Sequence, residues 1–166
     1  MEDIRIRNLE TSDFDAVVQL NEREVQHTSP MDAARLEELA VLARYRRVAT
    51  VNGVVAAFLL AMRDDAAYQN KNFAWFRERF PSFLYVDRIV VSKDFPNRKL
   101  GSMLYHDVFD VARQEKLPFV VCEFNLVPPN EPSRAFHQKF GFSERGTQWL
   151  DNSTKLVSMQ VAEVGE

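Results

Sequence analysis

The sequence predicts a mixed α/β fold, with a central sheet of about six to seven strands and helices on both of its faces. Strand and helix periodicities alternate along the chain in the order β-α-α-β-β-β-α-β-α-β-β, which favours such a sheet. Asn52-Gly53 joins two apolar runs, as in a tight hairpin. Residues 83–112 combine a buried strand, a polar turn and an amphipathic helix. The length of 166 residues predicts a single domain spanning residues 1–166.

The composition limits the classes of function. The net charge of −3, with both signs interspersed, argues against nucleic acid or a membrane surface as a partner. A single cysteine, Cys122, favours a reducing compartment, and no leader or membrane-spanning run is present, so we predict a cytoplasmic protein. Cys122 is flanked by apolar residues and is typical of a buried side chain rather than a nucleophile. His27 and His106 have no partner at ligand spacing, so no metal is predicted.

The first half of the chain contains short elements with clear boundaries. The predicted elements are a strand at 4–7, a helix capped by Thr11 or Ser12 and ended by Thr28-Ser29-Pro30, a second helix from about Asp32, and strands at 47–51 and 54–62. The apolar stripe of the first helix is Phe14, Val17, Val18 and Val25.

Residues 64–82 differ in character from their surroundings, with five aromatic residues among polar ones. The segment is too long for an ordinary hairpin connection, so we predict an aromatic-rich insertion between strands 3 and 4, with a helix around 73–79. It either lines a binding site or forms a satellite cluster over the core. Trp75 and Phe76, with Tyr85 on the next strand, are the candidate substrate-binding residues; core packing is the alternative for Tyr85.

Strand, basic loop and helix follow one another at residues 83–112. This order presents backbone N–H groups and the positive end of a helix dipole to an anion. Beyond it, we predict a strand at 119–126, a rigid bend at 128–132, a short helix ended by Gly141, and a final hairpin around 151–153.

The strand–loop–helix at 83–112, the block Asn130…His137…Gly141-Phe142 and the hairpin before the insertion together resemble the GNAT superfamily of acyl-CoA-dependent N-acyltransferases. The segments YVDRIVVS, CEFNLVPPN and AFHQKFGF resemble those of a bacterial group of uncharacterised predicted acetyltransferases. The resemblance covers nearly the whole chain. It implies a GNAT-like sheet and acetyl-CoA as co-substrate.

The family's pyrophosphate loop has the pattern Arg/Gln-x-x-Gly-x-Gly/Ala. One register places Pro96, Lys99 and Gly101 on its three defined positions, and a second places Arg98, Gly101 and Met103 there. We favour the first, because the helical stripe then begins at Leu100. The resemblance implies cofactor binding by Ile89, Val90, Val91, Arg98, Lys99, Leu100, Gly101, Ser102, Met103, Asn130 and Ser133, with N–H groups of 89–91 polarising the thioester carbonyl.

The resemblance implies a general acid at His137, where the family usually has Tyr, because histidine can donate a proton to a leaving thiolate near neutral pH. A half-buried helix residue is the alternative for His137, and an N-cap is the alternative for Asn130. Asp87 and Glu123 each interrupt an apolar strand, so either is a candidate for receiving the proton of the amine. Structural salt bridges are the alternative for both carboxylates.

These observations predict transfer of an acetyl group from acetyl-CoA to the amine of a small molecule, by direct attack in a ternary complex. The alternatives are acetylation of a protein N-terminus or lysine, and a non-catalytic acyl-CoA-binding regulatory module. A homodimer is compatible with the sequence.

Overall fold

The computed structural model of the protein describes residues 1–24 and 29–165. The chain forms two compact units. The first unit comprises Met1–Met62 and Val86–Asp110, and the second comprises Arg63–Tyr85 and Val111–Glu166. The organisation as a single domain over residues 1–166 stays a prediction.

The strands of the described residues belong to one sheet with the order β1-β2-β3-β4-β5-β7-β6. In chain order, the elements are β1 (Ile4–Asn8), α1 (Phe14–Arg23), α2 (Ala33–Leu42), β2 (Tyr45–Val51), β3 (Val54–Arg63), α3 (Lys71–Arg77), β4 (Leu84–Val91), α4 (Leu100–Gln114), β5 (Phe119–Val127), α5 (Glu131–Lys139), β6 (Ser143–Leu150) and β7 (Lys155–Glu163). β4 pairs parallel with β5, whereas β1–β2, β2–β3, β5–β7 and β6–β7 are antiparallel. The mixed α/β fold predicted from the sequence is therefore confirmed.

The hairpin between β2 and β3 turns at Asn52 and Gly53, which have φ angles of 50° and 81°. Two consecutive residues with positive φ are what a two-residue hairpin turn needs, and glycine adopts this conformation at no steric cost. The hairpin predicted at this dipeptide is confirmed.

The start of α1 differs from its prediction. A single 3₁₀ turn, Thr11–Asp13, precedes the helix, and the side chain of Asp13 accepts the N–H of Glu10 at 2.8 Å. Arg7 pairs with the same carboxylate and holds the pKa of Asp13 below its ordinary value. Thr11 and Ser12 as N-caps were wrong, because both lie inside the 3₁₀ turn, where Glu10 is the N-cap and exchanges capping-box hydrogen bonds with Asp13. Val25 and His27 lie outside the described residues.

α2 begins as predicted. The carboxylate of Asp32 accepts the N–H of Arg35 at 2.8 Å and caps the helix. Its inner face is buried through Leu36, Leu39 and Ala40.

Alternate residues of β4 and β5 point to opposite faces of the sheet, since the side-chain period of a strand is two. Tyr85 is in register with Val121, so Tyr85, Val121 and Glu123 share one face. Cys122 and Phe124 lie on the other face, and Cys122 is buried, as predicted.

Beyond α5, Gly141 has a φ of 82° and ends the helix, and positive φ angles at 151–153 turn the final hairpin. Both predictions are confirmed.

The insertion between β3 and β4 packs its aromatic rings together. α3 is capped by Asn70, whose side-chain oxygen accepts the N–H groups of Asn72 and Phe73. Tyr68, Phe73, Phe76, Phe83 and Tyr85, which we call the aromatic cluster, are all buried, with ring centroids 5.5–6.5 Å apart in the contacting pairs. Of the two roles that the sequence leaves open for the insertion, the satellite cluster is the one seen.

Candidate functional site

The loop between β4 and α4 lies in the first unit and begins at Ser92, whose N–H donates to the carbonyl of Ala56 at 2.8 Å. Asn97 and Lys99 have positive φ angles of 64° and 57°. The N–H of Met103 donates to the carbonyl of Lys99 at 3.0 Å, so the helix begins directly after Lys99. The N–H groups of a first helical turn have no acceptor within the helix, and the dipole adds positive charge there. Residues 100–102 therefore offer anion-binding donors.

Arg98 directs its guanidinium toward Glu2, with which it forms a bidentate ion pair, and also donates to the carbonyl of Pro96. The hydrogen bond lowers the pKa of Glu2 and raises the pKa of Arg98. Lys99 is exposed. The loop thus carries three cations: Lys93 and Arg98 each have a carboxylate partner, Glu24 and Glu2 respectively, and Lys99 faces solvent. The other predicted cofactor residues extend from both ends of the loop: Ile89, Val90 and Val91 at the end of β4, and Leu100, Gly101, Ser102 and Met103 in the first turn of α4.

Asp87 forms a buried ion pair with its chain neighbour. Nε of Arg88 lies 2.9 Å from its carboxylate, and the two side chains are 4% and 6% exposed. Arg88 also donates through Nη1 to Oδ1 of Asn21 and to the carbonyl of Ser29. These contacts match the salt bridge that the sequence leaves open for Asp87.

Glu123 lies on β5 in the second unit and is half-buried. The hydroxyl of Tyr85 donates to its Oε1 at 2.7 Å. Tyr85 is 1% exposed and belongs to the aromatic cluster. A tyrosine hydroxyl bound to a carboxylate favours the ionised form and limits its rotation. Glu123 is therefore a carboxylate with a fixed orientation on the sheet.

His137 is a buried residue of α5, 5% exposed, surrounded by the rings of Phe124, Phe136 and Phe142. Its Nδ1 lies 2.6 Å from the carbonyl of Ser133, one helical turn back, and 3.2 Å from the hydroxyl of the same residue. A contact to a carbonyl requires the hydrogen on Nδ1. Burial lowers the pKa of His137, and this effect is larger than the opposing effect of the Ser133 carbonyl.

Asn130 caps α5. Its side-chain oxygen accepts the N–H of Ser133 at 3.4 Å, and its carbonyl accepts the N–H of Arg134. The N-cap that the sequence leaves open is therefore present. Asn130, Ser133 and His137 form a short series in which each residue contacts the next along the first turns of α5.

The candidate substrate residues lie in different surroundings. Phe76 and Tyr85 are fully buried in the aromatic cluster. Trp75 is half-buried, with the guanidinium of Arg79 4.1 Å from its ring centroid, and its indole lies against Gly146 of β6. Neither the Tyr85–Glu123 pair nor the Trp75–Gly146 contact was anticipated, since each joins residues far apart in the sequence. The only sequence feature that pointed to the Tyr85–Glu123 pair was the presence of the polar Glu123 in an otherwise apolar strand.

The first unit also contains a surface depression of about 540 Å³ that the sequence did not indicate. Its walls combine apolar and charged side chains from α1, α2 and the segment before α2: Val18, Glu22, Pro30, Met31, Asp32 and Arg35.

Within the described residues, no group of three or more His, Cys, Asp or Glu side chains is arranged to hold a metal ion. No helix in this part of the chain is both long and apolar enough to cross a bilayer.

The described strands form one mixed sheet of seven strands, and the fold is of the mixed α/β class. Residues 5–142 match the Acetyltransferase (GNAT) family, and the protein belongs to this family. The resemblance stated from the sequence is confirmed. No curated protein matches the sequence significantly.

Solved structures share the fold at low sequence identity. The ribosomal-protein-S18-alanine N-acetyltransferase from Escherichia coli superposes with a TM-score of 0.75 at 16% identity, over 99% of this chain and 96% of that chain. Ard1 from Thermoplasma volcanium gives 0.78 at 19% identity, over 98% and 99%. The yncA protein of Salmonella typhimurium, solved with its cofactor acetyl-CoA, gives 0.71 at 18% identity, over 98% and 95%.

Family membership makes the protein an N-acetyltransferase that uses acetyl-CoA as co-substrate. The residues of the first unit fit the anionic part of that molecule, since a helix N-terminus follows the exposed Lys99. In the favoured register Lys99 occupies the first glycine position of the family's loop, and its left-handed φ is one that glycine adopts readily. This conformation supports the register with Gly101 as the second glycine.

Proposed function

We propose that the protein transfers an acetyl group from acetyl-CoA to the amine of a small molecule, by direct attack in a ternary complex. The observation that carries the proposal is the carboxylate of Glu123, held by the hydroxyl of Tyr85 at 2.7 Å. An ammonium group cannot attack a thioester until it loses a proton, and an oriented carboxylate receives that proton directly or through water. Acetyl-CoA supplies the activated acyl group and a thiolate leaving group.

We assign proton acceptance to Glu123 rather than to Asp87. Asp87 shares its carboxylate with the buried Arg88, so protonation would leave a guanidinium without its counter-charge. Glu123 is half-buried and accepts the hydroxyl of Tyr85 at 2.7 Å, so its carboxylate is oriented on a strand that also reaches solvent. The carboxylate of Asp87 serves to hold Arg88.

We propose that His137 donates a proton to the leaving thiolate of CoA, and this role makes the rate depend on pH. The lowered pKa means that the imidazolium predominates only below the ordinary histidine range. If His137 supplies the proton, kcat declines as pH rises through that lowered pKa. A constant kcat between pH 7 and 9 in the wild type would assign the donor elsewhere.

For the co-substrate, we propose that N–H groups of Leu100, Gly101 and Ser102, with Lys99 and Arg98, bind the pyrophosphate. Ile89, Val90 and Val91 would present backbone groups to the thioester, and Met103, Asn130 and Ser133 would contact the rest of the molecule. Phosphate groups at a helix N-terminus are stabilised by donors and dipole together. We expect the affinity for CoA to fall as salt is added, and such a dependence would support this assignment.

The surface depression of the first unit, considered by itself, is compatible with a small-molecule ligand, because its volume of about 540 Å³ lies within the usual range of such sites. Of the predicted substrate-binding residues Trp75, Phe76 and Tyr85, the last two are fully buried, so in this proposal they support the site without contacting the acceptor. A protein acceptor and a non-catalytic acyl-CoA-binding module are the alternatives. The homodimer and the cytoplasmic location stay predictions.

Release of free thiol from acetyl-CoA, measured with a panel of small amines and of peptides, tests the proposal. We expect turnover with one class of small amine, lost in Glu123→Gln and retained in Glu163→Gln, an exposed glutamate of β7. Turnover only with peptides selects the protein-acetylating alternative. CoA binding without turnover of any amine would leave the non-catalytic module.

A further inference from the structure

Tyr85 occupies a position that connects the insertion to the proposed base. Its ring lies within 6.5 Å, centroid to centroid, of Tyr68, Phe73 and Phe76. Its hydroxyl leaves this apolar surrounding and donates to Oε1 of Glu123 at 2.7 Å. The parallel register, with Tyr85 opposite Val121, places both side chains on the same face of the sheet.

The aromatic cluster restricts the ring of Tyr85. A fully buried ring with neighbours on several sides has no room to change rotamer without displacing them. Phe73 belongs to α3, whose N-terminus is fixed by the Asn70 cap. The direction of the hydroxyl is therefore determined by the packing of the insertion, and the hydroxyl in turn determines the orientation of the Glu123 carboxylate.

We propose that Tyr85 is a positioning residue for Glu123, and that the aromatic insertion acts on the reaction through this hydroxyl rather than by touching the acceptor. The inference rests on the proposed function, in which Glu123 receives the amine proton. The hydrogen bond stabilises the ionised carboxylate, which is the form that accepts a proton. It also holds the carboxylate in one rotamer, and misplacing a catalytic group by an ångström is costly in rate.

Tyr85→Phe tests the proposal, because it removes the hydroxyl and keeps the ring in the aromatic cluster. We expect kcat to fall roughly tenfold to a hundredfold, the range for losing a hydrogen bond to a charged group, with the KM for acetyl-CoA unchanged. The acid limb of the kcat profile is expected to move to higher pH, because the ionised form of Glu123 loses its donor.

The matched control is Tyr45→Phe. Tyr45 is 2% exposed and its hydroxyl also donates to a carboxylate, Oδ2 of Asp107, at 2.7 Å. The two substitutions remove the same kind of bond from equally buried rings. A merely structural role for Tyr85 predicts that both variants lose stability and keep the wild-type pH profile. Positioning predicts a displaced profile in Tyr85→Phe alone.

A double-mutant cycle with Glu123→Gln completes the test. If Tyr85 acts through Glu123, Tyr85→Phe has no further effect on kcat in the Glu123→Gln background. Equal losses in both backgrounds, or a wild-type pH profile in folded Tyr85→Phe, would overturn the inference and leave Glu123 as the base. Full activity of Glu123→Gln would instead remove the proposed base, and this inference with it.

Discussion

The indole of Trp75 lies against Gly146 so closely that a Cβ on the glycine would stand 2.5 Å from Cζ2 of the ring. Cβ atoms do not approach other carbons this closely, so the indole occupies the space that any other residue at 146 would need. The contact fixes where α3 rests on β6.

We expect Gly146→Ala to destabilise the protein by about 1–3 kcal/mol, the usual range for overpacking. The free energy of unfolding in urea measures the effect. Gly165→Ala is the control, since nothing lies within 4 Å of a Cβ at that glycine. If the indole is the obstacle, adding Trp75→Leu to Gly146→Ala should recover part of the lost free energy of unfolding. Equal stability of both glycine variants would show that the indole moves aside at no cost.

Lys99→Gly is expected to stabilise the protein by about 0.5–1 kcal/mol. A φ of 57° costs a residue with a Cβ about 1–2 kcal/mol, and the greater freedom of glycine in the unfolded chain offsets part of the gain. Lys93→Gly is the control, because that residue of the same loop lies outside the left-handed region and its replacement should not stabilise. Thermal unfolding of the two variants at equal salt decides the matter. A loss of stability in both would contradict the assigned backbone.

Glu2→Gln is expected to tighten CoA binding. The substitution frees the guanidinium of Arg98 from its carboxylate partner and makes it available to the pyrophosphate. An exposed pair of this kind has a modest effect, so we expect a gain in affinity within about fivefold, largest at low salt. Titration calorimetry at two salt concentrations measures it. Glu10→Gln, which also removes an exposed N-terminal acid, should leave the affinity unchanged.

Stability should fall on acidification through the ordinary histidine range. His137 has a lower pKa in the folded than in the unfolded state, so the unfolded chain binds more protons below about pH 6.5. The contribution of neutral His137 is complete above that pH and declines until its lowered pKa is reached. Unfolding in urea at pH 8, 7, 6 and 5 follows the decline. We expect His106→Gln, at an exposed position, to keep it and His137→Phe to reduce it.

The sequence predicted the strands, helices and turns whose conformation depends on residues close together in the chain. Period-two and helical spacings identified the strands and helices, and Asn52-Gly53 identified a turn, because the backbone conformation there is set by the residues themselves. It did not predict which distant side chains meet. Glu2 and Arg98 are 96 residues apart, and Glu123 and Tyr85 are 38 apart, so their pairing depends on the tertiary fold.

The same distinction applies near the site. The sequence did not indicate that Arg98 pairs with Glu2, because that partner is far away in the chain, and it did not indicate that Phe76 is fully buried, because burial cannot be inferred from aromatic content alone. At the start of α1, the sequence did not indicate that Glu10 and Asp13 exchange capping-box hydrogen bonds around a 3₁₀ turn that contains Thr11 and Ser12. Where a polar residue interrupted an apolar strand, as at Glu123, the sequence indicated an unusual position without indicating its partner.

Arg88 has a consequence for protein engineering. Its side chain pairs with Asp87 and also binds Asn21 in α1 and the carbonyl of Ser29 before α2. A substitution at position 88 would therefore disturb three partners at once and leave the buried carboxylate of Asp87 without its counter-charge. Any engineered variant of the protein should keep arginine at this position.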